Sequence, residues 1–155
     1  MTLSRILAST LVLGALSAFA PLTSYAAKTC ELSIDGTDAM QFSKQSLAVA
    51  ADCTEVKLTL KHAGKLPANA MGHNWVLTET AVMQPVATAG MSAGLPNNYV
   101  PKDDKRVIAH TKVVGGGEST SVTFPTSALK KGGDYTFFCS FPGHWSVMKG
   151  KLTFG

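Results

Sequence analysis

Clusters of lysine and arginine interleaved with aromatic residues are missing from this sequence, and with them the electrostatic footprint of a nucleic-acid binder. Only 15% of the 155 residues are charged, and the formal net charge of +4 is spread thinly along the chain. The densest charged stretch, Lys102-Asp103-Asp104-Lys105-Arg106, mixes both signs and reads as a solvated turn. The one run of glycine, Gly115-Gly116-Gly117, lacks the Lys and Ser/Thr of a phosphate-binding loop and reads as a flexible turn. No apolar run reaches the roughly 20 residues of a membrane-spanning helix. The longest, Ile6 to Ala20, counts fifteen. It follows the single positive charge of Arg5 and precedes Ser24-Tyr25-Ala26, with small residues at the two positions a signal peptidase reads. This is the pattern of a secretory signal, expected to be removed after Ala26. Ala27-Lys28-Thr29 lacks the apolar and small residues that would mark Cys30 for a lipid tether. Residues 27–155 then form a single domain of 129 residues, large enough for a real core and free of linkers and repeats. Loss of Arg5 lowers the net charge from +4 to +3.

Cysteine is also scarce, and the count of three is odd. Export places the chain where disulfides persist. Cys30 and Cys53 lie together in the first part of the mature chain, and Cys139 lies far from both. The economical pairing is Cys30 with Cys53, which leaves Cys139 a free thiol that needs a reason. The other possibility is that Cys139 pairs with one of the two, and then no thiol site exists.

What the chain does hold is the run Cys139-Ser140-Phe141-Pro142-Gly143-His144-Trp145-Ser146-Val147-Met148. Four residues separate Cys139 from His144 and three separate His144 from Met148. Thiolate, imidazole and thioether suit a soft transition metal such as copper, and a trigonal His₂Cys set with a distant axial Met is the blue-copper arrangement. That set requires a second histidine, and Met71-Gly72-His73-Asn74-Trp75 is the best place for it. His110, among apolar neighbours in a strand, reads as a surface or structural residue. Trp75 reads as core.

The mature chain otherwise alternates in short runs, all-β in character. Glu55 to Lys61 places Val56, Leu58 and Leu60 on one face; Ser121 to Phe124 is stopped by Pro125. Arg106 to Val114, Asn74 to Thr78, Asp134 to Cys139 and Lys149 to Phe154 are further strands. Such spacing predicts a sandwich or Greek-key barrel. Thr80 to Leu95, rich in Ala and Met with Pro85 and two glycines, reads as an insertion carrying a turn or two of helix.

In these motifs together, the sequence resembles the azurin group of the cupredoxin family, the type 1 blue copper proteins. Cys30-Glu31-Leu32, Met40-Gln41-Phe42, Met71 to Leu77, Arg106 to Lys112 and Phe137-Phe138-Cys139 with Phe141-Pro142-Gly143-His144 carry the resemblance, which spans the mature chain. It implies an eight-stranded Greek-key sandwich and a Cys30–Cys53 disulfide. It implies one copper ion with His73, Cys139 and His144 as strong ligands, Met148 as weak axial ligand and the Gly72 carbonyl as a still weaker contact. Asn74 would tie the two ligand segments together. Met40, Leu66, Met71, Met91, Phe141 and Gly143 would form an apolar docking collar around a surface-exposed His144, through which the electron would leave. Trp145 departs from the family, which more often has a small residue there; it either packs sideways against the loop or enlarges the collar. His62 resembles a histidine that the family keeps near the copper, but the proline usual after it is Ala63 here, so a pH-linked rearrangement is not carried over. The implied function is one-electron transport in the bacterial periplasm. The partners would be redox proteins such as c-type cytochromes or copper or quinoprotein oxidoreductases, served by a monomer that does not span the membrane.

Three other readings compete. A copper carrier or storage protein would need an exposed, exchangeable site. A thiol enzyme with Cys139 as nucleophile and His144 as base would need an orienting third group and an oxyanion site. A zinc site would accept the same Cys and His ligands but could not change oxidation state.

Overall fold

The computed structural model describes residues 27–155; the expected signal segment lies outside the described residues. In chain order the strands are β1 (Thr29–Thr37), β2 (Gln41–Phe42), β3 (Ser46–Val49), β4 (Glu55–His62), β5 (Val76–Glu79), β6 (Val107–His110), β7 (Ser119–Pro125), β8 (Tyr135–Phe138) and β9 (Lys149–Phe154). Two helices are added, α1 (Ala68–Met71) and α2 (Met83–Ala93). One sheet runs β2-β1-β4-β7 and the other β3-β9-β8-β5-β6. Each mixes parallel and antiparallel pairs: β1 lies parallel to β4 and β3 to β9. The result is the expected all-β sandwich rather than a closed barrel, with the two-residue β2 as an extra short segment.

Period-two alternation builds the core between the sheets. Val56, Leu58 and Leu60 of β4 all point inward and are fully buried, as their spacing predicts. They meet Leu77, Phe137 and Leu152 from the other sheet around Trp75. Trp75 stacks on Phe124 and Phe137, with ring centroids 6.1 and 6.0 Å apart. Strands β5 and β8 are buried on both faces. Leu77 and Phe137 face the main core, while Val76 and Phe138 face a second cluster with Val86 and Ala87 of α2. The insertion is therefore a lid on the outside of the five-stranded sheet, and this is why these strands read as continuous apolar runs.

Three details differ from the sequence reading. Helix α2 is eleven residues long, about three turns. Pro85 does not interrupt it, because it sits in the first turn where an N–H has no intrahelical partner. Gly90 does not interrupt it either; a Cβ there would lie 2.1 Å from the Tyr99 carbonyl oxygen. Strand β6 ends at His110 rather than Val114, since the chain then leaves the sheet for an isolated bridge between Val114 and His73. Finally, the triple glycine is a packing device more than a flexible turn. A Cβ on Gly115 would lie 2.7 Å from the backbone of Ala68, and one on Gly116 would lie 2.4 Å from that of Lys65. Only Gly117 adopts positive φ, at 81°.

Candidate metal centre

Strand β8 delivers Cys139 to one end of the sandwich, and the Cys139 N–H donates to the Met148 carbonyl at 3.0 Å, closing the loop between β8 and β9. Within that loop Gly143 takes φ of 83°, a left-handed turn that glycine allows cheaply. A single 3-10 turn, His144–Ser146, follows, and the Met148 N–H donates to the His144 carbonyl at 2.8 Å. His73 arrives just ahead of β5 and exchanges two backbone hydrogen bonds with Val114, of 3.0 and 2.9 Å. Cys139, Met148 and His73 thus hang from three neighbouring strands, β8, β9 and β5, of one sheet.

These elements bring His73, Cys139 and His144 together, with one nitrogen or sulfur of each within 4.8 Å of the others. Cys139 Sγ lies 3.5 Å from His144 Nδ1, 3.8 Å from His73 Nδ1 and 3.9 Å from the Gly72 carbonyl oxygen. His73 donates its Nε2–H to the Thr37 carbonyl at 2.9 Å, which leaves the Nδ1 lone pair facing the sulfur. Met148 is fully buried in the same cluster as Cys139 and Phe141. Gly36 of β1 makes room for this group: a Cβ there would lie 2.7 Å from His73 Cδ2 and 3.0 Å from the Met148 methyl.

Burial sets the protonation states. It pushes the Cys139 thiol up to about 12, opposed by the backbone N–H groups of Asn74 and Phe141. It holds His73 down to about 4, opposed by the Thr37 carbonyl, and lowers His144 as well. At neutral pH the chain alone offers two neutral imidazoles and a thiol that keeps its proton. A buried thiolate here needs a cation beside it, and the two amide N–H groups aimed at the sulfur are ready to support that charge. This is the donor chemistry of a soft metal ion. As a nucleophile the thiol is poorly placed, because reactive cysteines have depressed pKa values and access to solvent.

Asn74 ties the ligand segments. Its Oδ1 accepts from the Ser140 N–H at 2.8 Å, and its Nδ2 donates to Ser140 Oγ and to the Asn98 carbonyl, each at 2.7 Å. Of the residues expected to form the collar, Met40, Leu66 and Met91 are 38%, 42% and 45% exposed. Gly143 is exposed, Met71 half-buried, and Phe141 is buried with its ring 4.7 Å from that of His144; His144 itself, expected at the surface, is only 3% exposed. Val147, in the ligand loop, is an exposed apolar residue that the sequence reading passed over. Trp145 is half-buried and packs sideways against the cluster under α2. His110 is exposed, away from the ligand group. His62 is fully buried, with its ring 4.3 Å from that of His73 and its Nε2 3.1 Å from Asp38 Oδ1. Asp38 also accepts the Lys65 and Leu66 N–H groups, which hold its carboxyl below the usual range. Sequence reasoning missed Gly36, Thr37, Asp38, Asn98 and Ser140. Thr37 acts through a backbone carbonyl and Gly36 through the absence of a side chain, so neither leaves a residue-type signal.

Residues 28–155 match the family described as copper binding proteins, plastocyanin/azurin family. The chain belongs to the plastocyanin/azurin family. It is 58% identical over 123 residues to azurin-1 of Alcaligenes xylosoxydans xylosoxydans, covering 79% of this chain and 95% of that one. It is also 58% identical over 126 residues to the azurin of Bordetella pertussis, covering 81% and 84%. Among solved structures it superimposes on the azurin Az-iso2 of Methylomonas sp. strain J with a TM-score of 0.79 and 48% identity, covering 81% and 98%. Copper is the cofactor of this family, and His73, Cys139, His144 and Met148 form a type 1-like copper site. Like the plastocyanin/azurin proteins it resembles, the chain is an electron carrier that works with redox partners, and not an enzyme. Membership of the family, with the closed His-Cys-His group, disfavours a copper carrier or store without an electron-transfer role. A disulfide joins Cys30 to Cys53, and Cys139 is free.

Proposed function

We propose a division of labour in which His73, Cys139 and His144 would be the strong ligands of a copper ion, with Met148 and the Gly72 carbonyl as weaker donors beside them. Bound copper supplies a one-electron couple between Cu(I) and Cu(II). The chain's own contribution is rigidity. Asn74 keeps the His73 and Cys139 segments in register, Thr37 fixes the His73 ring, and the buried pocket excludes water. Little has to move when the charge changes. The observation that carries this reading is the convergence of one sulfur and one nitrogen from each of two imidazoles within 4.8 Å in a buried pocket.

Docking belongs, in this reading, to the face around His144. Met40, Leu66, Met71, Met91, Phe141 and Gly143 form its collar, and the outer edge of Trp145 extends it. An apolar surface with few charges suits brief encounters, and redox complexes use small interfaces. Partners of the expected kind are c-type cytochromes or copper or quinoprotein oxidoreductases, met in the periplasm after removal of residues 1–26. Because the mature chain would be a monomer holding one copper ion, each encounter would transfer a single electron.

The test is direct. Cu(II) added to the purified mature chain should give an intense blue colour that ascorbate bleaches. Absence of colour, or colour that survives Cys139→Ser, would overturn the assignment of ligands.

A further inference from the structure

Asn98 lies outside both ligand segments, just beyond the insertion, yet it touches the supports of three ligand positions. Its backbone carbonyl accepts from Asn74 Nδ2 at 2.7 Å and from Ser140 Oγ at 3.4 Å, the residues immediately after His73 and Cys139. Its side-chain Oδ1 accepts from the Val113 N–H at 2.9 Å. Val113 packs on the Cys139–Phe141–Met148 cluster, and the next residue, Val114, holds His73 by two backbone bonds. These bonds require a particular backbone. Asn98 has φ of 57° and ψ of 26°, the left-handed region that asparagine tolerates better than most side chains. Tyr99 follows at φ of 52°, with its ring edge-on to Phe141 at 5.2 Å and its carbonyl pressed on Gly90 of α2.

We propose that Asn98 is a positioning residue of the copper site, a clamp through which the helical insertion holds the His73 and Cys139 segments at their mutual distance. The proposal rests on the ligand reading above. The insertion is then more than a cover for β5 and β8: the turn that follows it ends at Asn98, which bonds both to Val113, next to the His73–Val114 bridge, and to the Asn74–Ser140 tie.

Three variants separate the two halves of the clamp. Asn98→Gly keeps the left-handed backbone and the carbonyl but removes Oδ1. Asn98→Asp keeps an acceptor for Val113. Asn98→Val disfavours the left-handed backbone, because a β-branched residue resists it, and so displaces the carbonyl. In metal-free protein, Asn98→Gly should speed amide hydrogen exchange at Val113 about tenfold, and Asn98→Asp should restore protection. In copper-loaded protein, Asn98→Val should change the Cu(II) hyperfine splitting and the reduction potential. A role confined to holding the loop would lower the melting temperature and leave both unchanged, so wild-type splitting and potential in Asn98→Val overturn the proposal whatever its stability. Should that variant not fold, Asn98→Gly decides: wild-type exchange at Val113 together with wild-type splitting overturns it. If the wild-type chain takes up copper without the blue colour, the ligand reading fails. Exchange at Val113 in the metal-free chain then still decides whether the clamp exists.

Discussion

At the scale of single residues, the site depends as much on a missing side chain as on those present. Gly36 leaves space for His73 Cδ2 and the Met148 methyl, which a Cβ would approach to 2.7 and 3.0 Å. Gly36→Ala should therefore displace the Met148 thioether or tilt the His73 ring, because Thr37 pins that ring from behind. The expected readout is an altered visible spectrum, with stability lowered by about 1–3 kcal/mol, the usual range for overpacking. An unchanged spectrum would show that the ligands yield without consequence. Protonation gives a second expectation. His73 has a folded pKa of about 4 against an ordinary 6.5. Below pH 6.5 the unfolded chain binds a proton that the folded one refuses, so the stability of chelator-stripped protein is full above that pH and falls towards pH 4. The slope should approach about 1.4 kcal/mol per pH unit for this group, and His144 acts in the same direction. Urea unfolding at pH 7.5 and pH 5 checks the sign.

At the scale of elements, the ligand loop is mounted on α2. Trp145 packs with Val76, Val86, Ala87, Val100 and Phe138, where a small residue would leave a gap. Trp145→Ser should cost about 2 kcal/mol by loss of apolar burial. With the docking collar trimmed, it should also slow electron transfer to a protein partner while leaving the rate with ferricyanide unchanged. Wild-type rates with both would restrict Trp145 to packing. The elements also show what a sequence reading can reach. The ligands were legible because Cys139, His144 and Met148 are scarce residue types at a telling spacing, and β4 because Val56, Leu58 and Leu60 alternate. Strand β3 offers only Leu47 and Val49, and α1 is a single turn, so neither carries a period long enough to detect. Strand β1 spends its ligand-end positions on Gly36 and Thr37, which contribute space and a carbonyl. Pro85 and Gly90 read as helix breakers because their justification is positional in one case and a long-range contact with Tyr99 in the other. The Asn98 network was invisible for the same reason: its partners, Asn74, Val113 and Ser140, come from three distant segments.

At the scale of the whole molecule, the sandwich is divided lengthwise by chemistry. The metal-binding residues occupy one end, beside Gly36 and His62 where β1 and β4 finish, while Cys30 and Cys53 lie where those strands begin. Six residues of extended strand between Cys30 and Gly36 span about 20 Å. Replacing Cys30 and Cys53 with alanine should therefore lower stability by about 3–4 kcal/mol on the chain-entropy estimate and leave the blue absorption unchanged; a spectral shift would mean the two ends communicate. The separation has one more consequence. The chain must keep one sulfur reduced and two oxidised in the same compartment, and a thiolate attacks any disulfide it can reach. Folding puts a strand's length between attacker and target and leaves the attacker protonated in an apolar pocket. The interval in which the three sulfurs can exchange partners closes once the sheet that carries Cys139 packs against the one that carries Cys30, and no metal is needed to close it.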